Sequence, residues 1–299
     1  MIDGLLLLVG GAAAGVFGSL LGLGGGVLIV PLLTLGFGLD LRTAVGVSLV
    51  SVIMTSSAAA GVYLERHVAN LRLGMTLELF TATGALVGGL VAFAIDERLL
   101  SVLFALLMLY VAFTMARPRR TPTPAAPAVP AAPGSPATAS APAADASRAS
   151  GEAVPSPAAE VPAGRMGALV ADLSGEGYVV RHLGFGIAGA TGAGIISALL
   201  GIGGGIIKVP LMHLGMGVPL RTATATSNLM IGITAAASAV IYLTRGQIDP
   251  YVAGPVAIGV FAGATIGSRF GHHVDLRILR LLFVVVLLYT ASQMLMRAI

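Results

Sequence analysis

The chain has 299 residues, of which 56% are hydrophobic and only 10% are charged, and its mean hydropathy is +0.95. A water-soluble domain of this size cannot bury so much apolar surface, so the composition predicts an all-α polytopic membrane protein. The absence of cysteine excludes disulfides, thiolate metal sites and thiol nucleophiles. The pI of about 9.8 does not indicate nucleic-acid binding, because the arginines lie at segment ends and in one linker, as in membrane proteins.

The first part of the chain contains five apolar segments, of which the second is short. Its start, Met1-Ile2-Asp3, lacks the basic residues of a signal peptide, so we expect the first segment to remain in the protein. A glycine break separates the first segment from the short one, which contains Pro31. The predicted segments are residues 4–20, 27–35, 42–64, 74–94 and 99–116.

A linker of different composition follows at residues 117–177. Eleven of the 16 prolines lie between Pro118 and Pro162, among alanine, serine and glycine. No helical or strand period there is long enough to bury a core, which predicts a disordered segment. The alternative is a partner-binding segment, because PxxP spacing occurs from Pro124 to Pro136.

The last part of the chain repeats the first after a shift of 179 positions. Leu20–Ala44 and Leu199–Ala223 are identical at 16 of 25 positions without a gap. This register predicts an internal duplication, which is a common signature of secondary transporters. The expected domains are a first transmembrane repeat (1–116), the linker (117–177) and a second transmembrane repeat (178–299). The predicted segments of the second repeat are residues 179–199, 206–214, 221–243, 251–270 and 278–297.

Both repeats contain a glycine break with four glycines in five positions. Each of these glycines would cost a continuous helix about 1 kcal/mol relative to alanine. Within a bilayer, a broken backbone is tolerated only where protein or a water-filled cavity satisfies its polar groups. We therefore expect a re-entrant or discontinuous helix that lines a substrate site, the alternative being that the glycines only allow close helix packing. The expected site glycines are Gly22, Gly24, Gly25, Gly26, Gly201, Gly203, Gly204 and Gly205.

The arginine positions favour an inverted arrangement of the two repeats. If each break forms a hairpin on one side, each repeat crosses the membrane three times, and 12 arginines face one side against 4 on the other. If each repeat crosses four times, the repeats are parallel and the split is 10 against 6. Under the positive-inside rule, the inverted arrangement places the linker in the cytoplasm and both termini outside.

Lys208 is the sharpest single candidate for a binding residue. It follows the second break within an apolar run, where the first repeat has Ile29. A lysine inside a membrane is costly unless it pairs or faces water, so we expect an inward-facing functional side chain. The alternative is that the side chain snorkels to the membrane interface.

A run of polar residues follows Arg221 in the second repeat. Thr224, Ser227 and Asn228 have the spacing of one helical face, and their hydroxyl and amide groups could replace the hydration shell of an anion. The alternative is that such groups bond their own helix or a neighbouring one. The expected polar site residues are Ser48, which matches Ser227, together with Lys208, Thr226, Ser227 and Asn228.

Glu78 is the one carboxylate clearly inside an apolar segment, which makes it the candidate for a proton relay. Because it lies near the start of its predicted segment, we favour a solvated carboxylate at the membrane interface. No His, Asp and Glu set has the spacing of metal ligands, and no nucleophile–base motif occurs. We therefore expect no cofactor, no metal and no enzymatic activity.

These motifs resemble the sulfite exporter TauE/SafE family of anion permeases. The resemblance rests on the paired breaks, each followed by a proline and a helix containing Thr and Ser, and on the strings Ile207-Lys208-Val209-Pro210 and Ala225-Thr226-Ser227-Asn228. It covers both repeats but not the linker. It implies a multi-pass transporter of the cytoplasmic membrane, driven by an ion gradient, for sulfite, sulfoacetate or other sulfur-containing anions.

The residues themselves favour a secondary transporter of a small anion. Two helix breaks would present backbone N–H groups and the positive ends of half-helices, which suit an oxyanion, and Lys208 would add a full positive charge. The expected partners are a small anionic substrate, the lipid bilayer and a coupling ion, either proton or sodium. The alternatives are an anion channel and, from another class, an intramembrane enzyme.

Overall fold

The computed structural model describes residues 2–21, 25–65, 69–116, 173–175, 178–270 and 276–298. Within these residues the protein is helical, and its single β contact is an isolated bridge between Gly175 and Tyr178. Six of the described helices are long and apolar enough to cross a membrane, judged by length and composition. The prediction of an all-α polytopic membrane protein is confirmed.

The helices follow the predicted segments within a few residues. Those of the first part are α1 (Ile2–Leu21), α2 (Gly26–Pro31), α3 (Leu41–Glu65), α4 (Leu71–Ala94) and α5 (Glu97–Ala116). Those of the second part are α6 (Leu183–Leu200), α7 (Gly205–Pro210), α8 (Leu220–Thr244), α9 (Pro250–Phe270) and α10 (Leu276–Ala298). The predicted linker lies almost wholly outside the described residues, so its predicted disorder and the domain boundaries stay predictions.

Glycines in the left-handed backbone conformation lie at both helix breaks. Gly25 precedes α2, and Gly201, Gly203 and Gly204 precede α7, all with φ between 70° and 78°. An L-residue with a side chain would pay roughly 1–2 kcal/mol for this left-handed conformation. The discontinuous helix expected from the sequence is therefore present at the second break. Gly22 and Gly24 of the first break lie outside the described residues.

A proline ends each short helix in the same way. Pro31 closes α2 and Pro210 closes α7, and five residues of π-helix follow in both places, Leu32–Gly36 and Leu211–Gly215. Because proline has no N–H to donate and its ring clashes with the preceding turn, the α-helical pattern cannot continue unchanged. The chain widens into a π-helical turn instead of stopping.

Two helix pairs between the halves pack closely through glycines. Gly11 and Gly15 of α1 lie against Val256 and Val260 of α9, and Gly84 and Gly88 of α4 lie against Thr191 and Ile195 of α6. Residue numbers rise together along each pair, so both pairs are parallel. Each half therefore packs its first helix against the fourth helix of the other half.

The centre of the molecule contains α3 and α8, which run antiparallel. Thr43 near the start of α3 donates from Oγ1 to Gln247 Oε1 beyond the end of α8, at 3.1 Å. Further along α3, the Ser56 hydroxyl donates to the Asn228 carbonyl at 2.6 Å. Both glycine breaks lie beside this pair of matched helices.

Candidate functional site

The most polar part of the described interior is a cluster of Lys208, Glu78 and Thr234. The Lys208 ammonium lies 3.2 Å from Glu78 Oε2 and also donates to the Thr234 hydroxyl. That hydroxyl lies 2.6 Å from Glu78 Oε1 and 3.0 Å from the Met230 carbonyl, the two acceptors open to its proton. Three elements thus supply the cluster: α7, α4 and α8.

The cluster is sealed from solvent. Lys208 is 1% exposed and Glu78 is 4% exposed. Burying one ionised group alone would be prohibitive, so each charge requires the other. The interface position expected for Glu78 is wrong: the helix α4 begins three residues earlier than predicted, and the residue faces the interior. The snorkelling alternative for Lys208 also fails, because its ammonium is buried.

Two serine hydroxyls lie beside the second glycine break without hydrogen-bond partners. Ser197 and Ser227 are each 1% exposed, and neither Oγ atom has a partner among the described residues. A Cβ atom added to Gly204 would lie 3.3 Å from Ser197 Cβ and 3.4 Å from Lys208 Cε. One added to Gly205 would lie 3.8 Å from Ser227 Oγ. Two hydroxyl groups without partners among the described residues therefore lie next to the second break.

Ser48, the first-half match of Ser227, has a different environment. Its hydroxyl lies 2.8 Å from the Gly201 carbonyl and 3.2 Å from the Gly26 carbonyl. It therefore connects the two breaks across the interface between the halves. Ser48 lies at a glycine break, as expected, but its hydroxyl group already bonds the backbone there.

The other polar residues expected in the site are not brought to the break. Thr226 is buried and accepts from the Asn70 N–H at 2.9 Å, so it fixes the start of α4. Asn228 uses its carbonyl to accept from Ser56, and its side chain bonds no described residue. Thr224 donates to the Leu220 carbonyl within its own helix. Only Ser227 of this run reaches the break.

The sequence reasoning missed Ser197 and Thr234. Ser197 precedes the second break by four residues, and the matched first-half residue is Gly18. Thr234 follows Ser227 by seven residues on the same helical face, and Ser238 and Tyr242 extend that buried polar row. The signal in the sequence is the helical spacing of these polar residues within one apolar segment, which places them on one face of α8.

The positions that match Lys208 and Glu78 after the shift of 179 are both apolar, whereas Thr234 matches another threonine, Thr55. Ile29 stands where the second half has Lys208, and Ala257 stands where the first half has Glu78. Both of these residues are buried. The described interior therefore contains one charged cluster, and the halves are chemically unequal at their breaks.

Comparison with known proteins gives the family. Residues 7–294 match the family described as Sulfite exporter TauE/SafE. The chain belongs to the TauE/SafE family. The resemblance stated from the sequence is confirmed, and the chain is a multi-pass membrane protein of a transporter family.

One relative matches nearly the whole chain, and two others match about a third of it or less. The "Probable membrane transporter protein YunE" of Bacillus subtilis (strain 168) is 24% identical over 303 residues, which cover 98% of each chain. In Arabidopsis thaliana, "Sulfite exporter TauE/SafE family protein 6" is 34% identical over 82 residues, 27% of this chain and 19% of that protein. "Sulfite exporter TauE/SafE family protein 3" is 34% identical over 103 residues, 34% of this chain and 20% of that protein. No solved structure matches.

A separate cavity in this TauE/SafE chain has a different character. It has a volume of about 330 Å³ and lies between α1, the first π-helical turn and α10, with Phe17, Leu32 and Phe283 among its walls. Its lining is almost wholly apolar and carries no charged side chain. An anion would lose its hydration there without compensation, so the polar cluster is the better candidate site.

Proposed function

We propose that this chain is a secondary transporter that moves a small oxyanion across the cytoplasmic membrane. The substrate class is a sulfur-containing oxyanion or organosulfonate, of the sulfite and sulfoacetate kind. Membership of the TauE/SafE family supports transport, and the buried lysine beside two unpartnered hydroxyls supports an anion. The driving force is an ion gradient, of protons or of sodium.

The observation that carries this proposal is the set of donors around the second break. An oxyanion needs several hydrogen-bond donors arranged around three or more oxygens, with a positive charge close by. Lys208 supplies the charge, and Ser197 and Ser227 supply buried hydroxyls that bond no described residue. Buried polar groups without partners are costly, so a ligand that satisfies them recovers free energy.

The closed position of the cluster favours a carrier over a channel. A channel needs a continuous path with weak sites, whereas Lys208 and Glu78 are buried and bonded to each other. Breaks in the helices beside a closed central site suit alternating access, in which the halves rock around that site. Uptake that saturates with concentration supports the carrier, and conductance linear in concentration would support the channel.

The enzyme alternative has no support in the cluster. The described residues include no group of three or more His, Cys, Asp or Glu placed to hold a metal. Ser197 and Ser227 have no base within hydrogen-bond distance among the described residues. A nucleophile requires such a base, so we retain transport.

The first prediction concerns removal of the lysine charge. Lys208→Met should weaken anion binding by roughly 1.5–3 kcal/mol, about 10- to 150-fold, because one charge-assisted contact is lost. The single variant should also lose roughly 3–5 kcal/mol of stability, because Glu78 is left buried without its partner. Isothermal titration with sulfite, thiosulfate and sulfoacetate measures binding, and thermal unfolding in detergent measures stability.

A double variant separates these two effects. Lys208→Met with Glu78→Gln removes both charges, so most of the stability should return while binding remains weak. Ile29→Met changes the matched first-half position and should affect neither measurement. A double variant that is stable and binds within about twofold of wild type, a few tenths of a kcal/mol, would remove Lys208 from the site.

A further inference from the structure

We infer that Glu78 is the coupling site, and that one proton binds to its carboxylate for each monovalent anion that binds beside Lys208. This inference rests on the proposed function and names its coupling ion. It follows from the number of charges that the buried cluster can hold, together with the position of Glu78 against the lysine.

The cluster without substrate is neutral as a pair. Lys208 and Glu78 together hold one ammonium and one carboxylate at 3.2 Å. Moving the proton from the lysine to the glutamate would leave two neutral groups with the same number of protons. The proton count of the empty site is therefore the same in either arrangement.

An anion changes this balance. It would share the one ammonium with the Glu78 carboxylate, leaving a net negative charge in a closed, low-dielectric interior. Two like charges in such a site are not both retained when one can take up a proton. A proton on a Glu78 oxygen restores neutrality, and it turns that oxygen from an acceptor into a donor toward Thr234 or the anion.

No other described group is placed to supply the missing charge. Of the elements packed on α4, α6 contains no ionisable side chain, and α7 contributes only Lys208. From α8, Arg221 is exposed at the helix start, and Tyr242 donates to the Ala198 carbonyl. His213, in the turn after α7, bonds the Val218 carbonyl. On α4 itself, Arg72 is exposed near the helix start.

The coupling predicts how the apparent affinity for the anion depends on pH. If one proton binds with each anion, apparent affinity falls about tenfold for each pH unit above the range where the empty site binds that proton. The effect is reciprocal, so the anion increases proton affinity by the same factor. For a monovalent anion, joint movement with one proton carries no net charge across the membrane.

The experiment uses the purified full chain and methanesulfonate, a monovalent anion whose own charge is constant near neutral pH. Titration calorimetry between about pH 6 and about pH 8 should give a wild-type Kd that rises about tenfold per unit. Repeating it in buffers of different ionisation heat should count close to one proton per anion. Glu78→Gln alone would leave Lys208 buried without its partner and able to take up the proton itself. The uncoupled variant is therefore Glu78→Gln with Lys208→Arg, whose guanidinium stays charged, and it should bind with no pH slope.

Two further variants make the result specific to this carboxylate. Glu78→Asp keeps a titratable group and should keep the slope. Asp96→Asn removes an exposed carboxylate beyond the end of α4 and should also keep it. A flat wild-type profile with zero protons counted would overturn the inference, as would a slope that persists in the double variant Glu78→Gln with Lys208→Arg. Failure of the wild type to bind any sulfur-containing anion would overturn the proposed function, and this inference with it.

Discussion

Ser227 and Ser48 are matched residues whose hydroxyl groups have different surroundings. The Ser48 hydroxyl bonds the carbonyls of Gly201 and Gly26, so its hydrogen bond is part of the closed fold. The Ser227 hydroxyl is equally buried but bonds no described residue. A buried donor without a partner lowers stability, which favours a reason other than folding for its presence.

The second prediction compares alanine at these two positions. Ser48→Ala should lower the free energy of unfolding by about 1 kcal/mol, because a bonded hydroxyl is lost and two carbonyls lose a donor. Ser227→Ala should leave stability unchanged or slightly higher, yet weaken anion binding by about 0.5–1.5 kcal/mol. Thermal unfolding and titration calorimetry on both variants provide the measurements. Equal loss of stability in both variants would show that Ser227 has a structural partner.

The charged pair shows what residue-level reasoning could and could not predict. Lys208 was recognisable because a lysine in an apolar run is expensive. Its partner was not, since Glu78 lies 130 residues away and on a different helix. Glu78 is nevertheless the one carboxylate clearly inside a predicted apolar segment, and the cost of burial favours pairing it with Lys208. The contact between Lys208 and Glu78 is long-range, so no local pattern indicates it, but the need to pair buried charges does.

Glycines on the long helices set the distance between elements of the two halves. A Cβ on Gly84 of α4 would overlap the Thr191 backbone oxygen of α6, and one on Gly263 of α9 would overlap the Ala12 oxygen of α1. These glycines match at the shift of 179 positions. Small residues allow close packing of membrane helices, where dispersion replaces the hydrophobic effect as the attraction.

The third prediction tests this packing. Gly84→Ala and Gly263→Ala should each destabilise the protein by about 1–3 kcal/mol, because backbone atoms must move apart. Gly192→Ala is the control, since a Cβ there meets nothing within 4 Å although it lies on the same helix as Thr191. Thermal unfolding in detergent measures all three. A control as unstable as Gly84→Ala would show that helix flexibility, rather than close approach, explains the glycines.

At the level of elements, hydropathy and glycine patterns predicted most of the architecture. Apolar runs are long in membrane helices, so the described bounds agree with the predicted ones to a few residues. The differences reach four residues: α6 begins at Leu183 rather than at Val179, and α2 and α7 end four residues early, where the π-helical turns follow. The exchange of partners, with α1 against α9 and α4 against α6, depends on tertiary packing and left no periodicity in the sequence.

Over the whole molecule, two observations support the inverted arrangement of the repeats. The matched helices α3 and α8 run antiparallel, whereas an axis along the membrane normal would make them parallel. The guanidinium groups of Arg42 and Arg245 both lie over the Phe93 ring, at 5.6 and 5.3 Å from its centroid. The inverted arrangement places these arginines on one side of the membrane, and the parallel arrangement places them on opposite sides.

The last prediction tests inversion with matched positions. Asp40 and Pro219 precede α3 and α8, are both exposed, and correspond at the shift of 179. Because the chain lacks cysteine, Asp40→Cys and Pro219→Cys each introduce a single thiol. In the inverted arrangement, a membrane-impermeant maleimide should label the Asp40→Cys variant in intact cells and the Pro219→Cys variant only after permeabilisation.

Asp249→Cys supplies the control for that experiment, because Asp249 lies just beyond Gln247, which contacts Thr43 at the start of α3. It should therefore label under the same conditions as the Asp40→Cys variant. The parallel arrangement makes the opposite forecast, because equivalent positions in parallel repeats face the same compartment. Equal labelling of the Asp40→Cys and Pro219→Cys variants in intact cells, with Asp249→Cys protected, would exclude inversion. The packing of α1 on α9 and of α4 on α6 would then require a relation between the halves other than inversion.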